Sequence, residues 1–325
     1  MSSDETSIKS ETKPSVQTVA GPLELEELGR TLVHEHLLMH SEPVPDQFPH
    51  LYDDDDGFRR AAESARAIVE QGVKTICDPS CLNHGRDIRF MKRVADETGL
   101  QVVPCTGIYT YNELPHALQS RDEDYIADAF VHDIEEGIQG TDIKAAFLKC
   151  AVDEPGITDD VGKVLRACAR ASKRTGTPMM VHSHPATRRG LEIMDVLDEE
   201  GVDPATVQIA HTGDTDDLDY IEELLARGPF IGMDRFGTVI YLDDDKRNAT
   251  VIALLERGHA GRMFLSTDAC PEFDWFPREM IDQMAPNWKS SYIFDTIVPQ
   301  LREAGMTDEQ LDQMLVENPK RWLGF

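Results

Sequence analysis

The sequence is poor in positive charge, and in lysine above all. Of 325 residues, 32 are Lys or Arg and 60 are Asp or Glu, so the formal net charge is −28. Only 11 of the cations are Lys. This shortage excludes unassisted binding to nucleic acid or anionic lipid, whose phosphates would be repelled. Long apolar runs are also missing: none reaches the roughly 18 residues that a membrane span needs. The six cysteines (Cys77, Cys81, Cys105, Cys150, Cys168, Cys270) show no paired zinc-type CxxC spacing, and they are expected to be reduced, buried thiols of a cytoplasmic protein. No GxGxxG follows the first strand candidate, which weakens a dinucleotide-binding reading. Residues 1–16 are rich in Ser, Thr and Glu and carry no apolar h-region, so they read as a disordered acidic tail and not as a signal peptide.

What is present points to a folded chain. A hydrophobic content of 40%, spread in blocks, argues for a globular chain despite the acidity. Many Asp and Glu with few Lys suit a protein that stays hydrated in high salt. Short β-branched or apolar runs recur at Thr31–Val33, Val73–Cys77, Gln101–Thr106, Lys144–Leu148, Pro178–Val181, Val207–Ala210, Phe230–Met233 and Met263–Ser266. Helical spacing fills the intervals, as in Arg59–Gln71, Asp124–Ile138, Thr158–Thr175 and Thr187–Glu200. Eight strands, each followed by a helix, predict a (β/α)8 barrel formed by residues 17–325 as a single domain. A doubly wound open sheet is the alternative.

The chemistry-capable residues fall at predicted strand ends, where a barrel opens its mouth. His34 and His36 flank one residue, so an extended chain turns both imidazoles to one side. Lys149 closes the fourth run, and a lysine there must find a partner or lose its proton. His182 and His184 follow the fifth run, His211 the sixth, and Asp268 the eighth. Four imidazoles, one amine and one carboxylate from five strand ends converge only if the sheet closes. Nitrogen and carboxylate ligands suit Zn, Co, Mn or Fe rather than Ca or Mg.

These residues resemble those of the phosphotriesterase family of the amidohydrolase superfamily, and within it the phosphotriesterase-like lactonases. The resemblance rests on Leu32-Val33-His34-Glu35-His36-Leu37, Gly85-Arg86-Asp87-Ile88, Thr106-Gly107-Ile108-Tyr109, Phe147-Leu148-Lys149, His211-Thr212-Gly213-Asp214-Thr215-Asp216 and Asn318-Pro319-Lys320-Arg321. It implies two divalent metal ions: a buried one on His34, His36 and Asp268, and a more exposed one on His182 and His211. It also implies that Lys149 is N6-carboxylated and bridges both metals together with a hydroxide. The spacing from His182 to Gly190 matches the family's ligand position, which selects His182 over His184. His184 is expected to be exposed or to lie in the mouth.

The resemblance further implies a lactone-opening hydrolase with promiscuous phosphotriesterase activity. The bridging hydroxide would attack the carbonyl carbon, and Asp268 would carry the proton to the leaving alkoxide. Tyr109 and Arg235 are similar to mouth residues of the lactonases and would contact substrate. Arg235 is equally open to a structural ion pair with Asp234 or another carboxylate. The stretch Phe273, Trp275, Phe276, Met280, Met284 and Trp288 would line an apolar channel, with Trp275 and Cys270 as further substrate contacts. Ala269 departs from the family, which often carries an aromatic there. A homodimer is implied as well. The alternatives are a related hydrolase of another ester or amide, and a metal-binding barrel without catalysis.

Overall fold

A computed structural model describes residues 13–325. Most of the expected tail, residues 1–12, lies outside the described residues. Its end does not belong to a tail. Ser15–Thr18 (β1) pairs antiparallel with Gly21–Glu24 (β2), and Val16 and Thr18 are buried against the rest of the molecule. The alternation of Val16 and Thr18 with polar Ser15 and Gln17 is the half-buried strand pattern that a compositional reading overlooks.

Eight further strands follow: β3 (Arg30–Leu32), β4 (Val73–Asp78), β5 (Gln101–Gly107), β6 (Phe147–Val152), β7 (Met179–Ser183), β8 (Val207–Ala210), β9 (Phe230–Met233) and β10 (Met263–Leu265). Each pairs in parallel with its sequence neighbour from β3 through β10. A doubly wound sheet would reverse its strand order, and this one does not. The seam between β10 and β3 closes just beyond the strands. Asp268 N donates to His34 O at 3.0 Å, His36 N to Ala269 O at 2.9 Å, and His34 N to Ser266 Oγ at 3.0 Å. The molecule is therefore a TIM barrel.

The crossover helices are α1 (Asp54–Glu70), α2 (Ile88–Thr98), α3 (Glu123–Glu135), α4 (Asp159–Thr175), α5 (Arg189–Glu200), α6 (Leu218–Ala226) and α7 (Asp244–Glu256). Their starts follow the capping rule. Asp53, Asp87, Asp122, Thr158 and Asp217 each accept a first-turn backbone N–H. Ala61, Ala62, Ala65 and Ile68 of α1 are buried, as the helical spacing predicts. Within the strands, alternate residues face two cores. Ile209, Ile231 and Leu265 pack outward against helices, while Ala210, Phe230 and Phe264 fill the barrel. Phe230 stacks on Phe264 with centroids 4.9 Å apart, and Trp322 lies 5.8 Å from Phe264 and 5.5 Å from Phe147. This aromatic plug occupies the barrel interior and leaves the polar residues to the opposite end.

One strand differs from expectation. The fourth run was predicted over Lys144–Leu148, but β6 begins at Phe147 and continues to Val152. Ala145 N bonds to Asp133 O at the end of α3, and only from Ala146 N, which bonds to Pro104 O of β5, does the chain join the sheet. Lys149 thus lies within the strand and not at its close, because its side chain enters the polar end of the barrel. A Cβ at the paired Gly107 would stand 1.8 Å from Lys149 O, so only glycine lets β5 approach β6 there. All six cysteines are free and buried, as expected. Among the described residues, no helix is long and apolar enough to cross a membrane.

Candidate metal centre and substrate cavity

The interior of β6 and the ends of β3, β7, β8 and β10 bring His34, His36, Lys149, His182, His211 and Asp268 to the floor of one cavity. The His34 and His211 rings lie 4.8 Å apart, His182 and His211 4.6 Å, and His34 and His36 5.8 Å. Each imidazole has one nitrogen fastened from behind. His34 Nδ1 meets Asp234 Oδ2 at 2.8 Å, and His211 Nδ1 meets Asp234 Oδ1 at 3.0 Å. His182 Nε2 meets Asp153 Oδ2 at 2.5 Å. His36 Nδ1 lies 2.8 Å from Ser80 Oγ, whose own proton goes to Leu38 O, so the hydroxyl oxygen accepts from the ring. In all four cases the tethered nitrogen is the donor, which leaves the lone pair on the other nitrogen.

Those other nitrogens face a common space. His34 Nε2 and His36 Nε2 each lie 3.2 Å from Asp268 Oδ1, and His211 Nε2 lies 3.9 Å from Asp268 Oδ2. His182 Nδ1 lies 3.2 Å from Tyr109 Oη. His34, His36 and Asp268 have ligand atoms close enough to share a metal ion, and so do His34, His211 and Asp234. In the second group the Asp234 oxygens already accept both Nδ1–H groups and His211 N, so Asp234 holds the two imidazoles from outside.

Burial sets the charge states. It lowers His34 and His211 and brings His182 down to about 4, so the imidazoles are neutral and ready to ligate. Burial works to raise the Asp268 carboxyl, but His34, His36, His211 and Arg235 outweigh it and hold it well below the ordinary range. Burial also lowers Lys149 against the pull of Asp268 and Asp234. Its Nζ lies 3.2 Å from His34 Nε2 and 3.3 Å from Met180 Sδ, and no carboxylate pairs with it among the described residues. A buried amine so poorly partnered is short of an acceptor. His211 at φ 62° and Asp268 at φ 54° hold left-handed backbone, a strain of roughly 1–3 kcal/mol each that clusters at functional sites.

Arg235 joins this group from the loop after β9. Its Nε donates to Asp268 Oδ2 at 2.9 Å and its Nη1 to Asp214 Oδ2 at 3.1 Å. The ion-pair alternative raised by the sequence is thus met, but with Asp268 and Asp214, while Asp234 serves the histidines. Tyr109 is buried over the site, hydrogen-bonded to Tyr111 as well as His182. His84 packs on Tyr109 at 4.0 Å between centroids. His184 is half-buried, bonds to Thr187 Oγ1 at 2.8 Å and does not line the cavity.

The sequence reading missed Asp234, Asp153, Ser80 and Glu35 as parts of the site. A usable signal existed for Asp234: Phe230, Gly232 and Asp234 share the inward face by alternation. A Cβ at Gly232 would lie 2.2 Å from Asp234 Oδ2, so the glycine makes room for that carboxylate. Glu35 points away from its two histidine neighbours. It accepts from Ser266 Oγ at 3.1 Å, Thr267 N at 2.7 Å and Ser290 Oγ at 2.6 Å, and burial raises it to about 7.

Above the polar floor the cavity, about 180 Å³, is apolar. The predicted stretch Phe273, Trp275, Phe276, Met280, Met284 and Trp288 does line it, and Ile240 and Tyr241 face it from the loop after β9. Cys270 does not. Its thiol donates to Glu272 O at 3.0 Å, burial raises its pKa well above the usual value, and it is absent from the cavity wall. Two residues past Asp268 the chain has already turned behind the site, which removes Cys270 from contact with substrate.

The match to the model of the phosphotriesterase family spans residues 14–323. The chain belongs to the phosphotriesterase family. Membership makes it a hydrolase acting on ester bonds. It is 45% identical to the aryldialkylphosphatase of Saccharolobus solfataricus over 92% of this chain and 96% of that one. It is 43% identical to a phosphotriesterase homology protein of Mycobacterium tuberculosis over 95% and 97% of the two chains. The solved structure of the phosphotriesterase from Mycobacterium tuberculosis superimposes with a TM-score of 0.91 at 41% identity, covering 95% and 98%. Within this family frame, the polar floor and apolar walls are the features that bear on substrate.

Proposed function

We propose that the protein is a binuclear-metal hydrolase that opens lactones carrying apolar substituents and also cleaves phosphotriesters. One observation carries this reading: four imidazoles, each tethered by one nitrogen, turn their free nitrogens into one space beneath an apolar cavity, those of His34, His36 and His211 toward Asp268 and that of His182 toward the Tyr109 hydroxyl, with Lys149 beside His34. His34, His36 and Asp268 would hold one ion and His182 and His211 the other. Lys149, as its N6-carboxylate, would serve both, and its burial favours the neutral amine that carboxylation requires. Bound there, divalent ions such as Zn, Co, Mn or Fe activate water near neutral pH and polarise a carbonyl or phosphoryl oxygen.

The chain's own groups divide the remaining work. Asp268 Oδ1 lies against His34 and His36, whereas Oδ2 accepts one bond from Arg235 and keeps a second lone pair to take a proton and return it to the leaving alkoxide. Arg235 Nε, at 2.9 Å from Oδ2, keeps that carboxylate ionised until it is needed. The Tyr109 hydroxyl stands over His182 and is raised well above its usual value by burial, so it remains a donor for a lactone oxygen. The walls from Phe273 to Trp288 exclude water and receive the acyl or ring substituent. The similarity to an aryldialkylphosphatase supports the phosphotriester side of the activity.

The test is a panel of γ- and δ-lactones, acyl-homoserine lactones and paraoxon-type esters, with and without chelator. Chelation should abolish turnover, and metal should restore it. Lys149→Ala should lose most bound metal and most hydrolysis. Turnover indifferent to chelator would overturn the metal assignment, and phosphotriesters outrunning every lactone would overturn the lactone preference.

A further inference from the structure

The segment that walls the cavity leaves the barrel at Asp268 and meets the loop after β3 in an isolated bridge at Phe273. Its residues alternate in what they do. Phe273 and Trp275 face the cavity, whereas Glu272 and Asp274 turn the other way, into the loop after β3. That second contact is dense. Met39 and Phe273 form a parallel bridge, with Met39 N donating to Glu272 O at 2.8 Å and Asp274 N to Met39 O at 3.2 Å. Ser41 N lies 2.9 Å from each Asp274 carboxylate oxygen, and Ser41 Oγ donates to Oδ1 at 2.9 Å. The Tyr52 hydroxyl donates to Oδ2 at 2.7 Å. One carboxylate therefore gathers three donors from a loop more than 200 residues away in sequence.

The neighbouring acid works alike. Glu272 accepts from Arg60 Nε of α1 at 3.1 Å and lies 3.2 Å from His40 Nε2. None of these groups touches the proposed metal ligands or the reacting atoms. Burial, with Asp274 beside it, pushes the Tyr52 hydroxyl up to about 12, so it stays a donor throughout the working pH range. Beyond Trp275 the wall loses such support: Phe276, Met280 and Met284 are 52%, 43% and 46% exposed.

We propose that Asp274, through Ser41 and Tyr52, is a positioning residue that determines specificity by fixing Phe273 and Trp275 as the rigid half of the substrate cavity. The inference rests on the proposed function only in taking that cavity as the acyl site. Removing the carboxylate unfastens the backbone that carries the two aromatic side chains and leaves Phe273 its packing on Trp288 and Trp275 its packing near His84 and Tyr109. Compact substrates need only the polar floor and should not notice. Long apolar chains need the wall, and a misplaced wall costs affinity without changing the chemistry.

The experiment compares wild type, Asp274→Ala, Asp274→Asn and Tyr52→Phe by three measurements. Binding of two simple amides, N-methylacetamide and N-methyldecanamide, each recovered intact by chromatography after the titration, is followed by tryptophan fluorescence and calorimetry. Asp274→Ala should weaken the decanamide by about tenfold and leave the acetamide unchanged. Among hydrolysed lactones, KM should rise with chain length in Asp274→Ala while kcat holds, and Asp274→Asn should recover part of the loss because its amide oxygen still accepts from Ser41. Amide hydrogen exchange over residues 272–288 should quicken in Asp274→Ala and not in the rest of the barrel. Equal loss for both amides, or unchanged decanamide affinity and exchange in a folded Asp274→Ala, would overturn the proposal. A wild type that binds decanamide but hydrolyses no lactone would overturn the functional reading and leave the positioning role to be decided by binding and exchange.

Discussion

Asp234 shows how much one side chain can set at this site. Its two oxygens each take an imidazole proton, Oδ2 from His34 and Oδ1 from His211, and Oδ1 also accepts from His211 N. An asparagine of the same shape cannot repeat this. The backbone N–H of His211 demands the amide oxygen, so the amide N–H2 faces His34 Nδ1. His34 must then present Nδ1 as acceptor and carry its proton on Nε2, where the metal lone pair is needed. Asp234→Asn should therefore weaken binding of the ion proposed at His34 and His36 by roughly 10–100-fold, the usual scale for an outer partner of a metal ligand. Titrating metal into the metal-free protein by calorimetry checks it, and two unaltered affinities would refute it. Tyr109→Phe is milder. It deletes one hydroxyl over His182, and lactone turnover should fall more than phosphotriester turnover. An equal fall on both substrates would remove the lactone-specific role. That His34, His36, Lys149, His182, His211 and Asp268 meet at one cavity floor was legible because each follows an apolar run, where a polar residue has few other reasons to stand. Asp234 was not. It is adjacent to Arg235, and a neighbouring opposite charge offers an explanation that an extended chain forbids, since consecutive side chains point apart. Cys270 erred in the other direction, since closeness in sequence to Asp268 says nothing about which way the chain turns next.

At the scale of elements, most strands were legible because parallel strands buried on both faces are continuous apolar runs. The short hairpin of β1 and β2 was hidden by polar composition, and β6 was displaced because its lysine belongs inside. Packing between elements also carries a pH signature. The Tyr220 hydroxyl of α6 accepts from Gly190 N of α5 at 3.2 Å, and burial pushes it up to about 12. An unfolded tyrosine ionises near 10, so above about pH 10 the unfolded chain releases a proton that the folded chain still holds. The folded pKa is raised, so its contribution is complete below about pH 10 and is lost as pH climbs toward 12. Urea midpoints measured from pH 9 to 12 should decline across that window. Tyr220→Phe should start lower, because Gly190 N loses its acceptor at a cost of about 1 kcal/mol. Its decline should then be shallower, and a decline as steep as the wild type's would show that Tyr220 does not contribute to it.

For the molecule as a whole, the lack of cations returns as an electrostatic load on the outer surface. The helices carry the acids, and the few arginines are shared among them. Arg166 bonds to Glu199 and Glu200, Arg227 to Asp195 and Asp198, and Arg59 to Asp56 and Glu63. Exposed pairs of this kind contribute about 0–1 kcal/mol each and weaken as salt screens them. The excess behind the net charge of −28 is all of one sign, and screening relieves it. The two effects oppose each other, and the excess wins. Thermal stability should rise as NaCl increases from about 0.1 M toward 1 M, where the screening length shrinks from about 10 Å to 3 Å. It should then level off, because little repulsion remains to be screened. A rise that continues linearly would instead point to exclusion of salt from the surface, and a maximum at low salt would show that the ion pairs outweigh the excess.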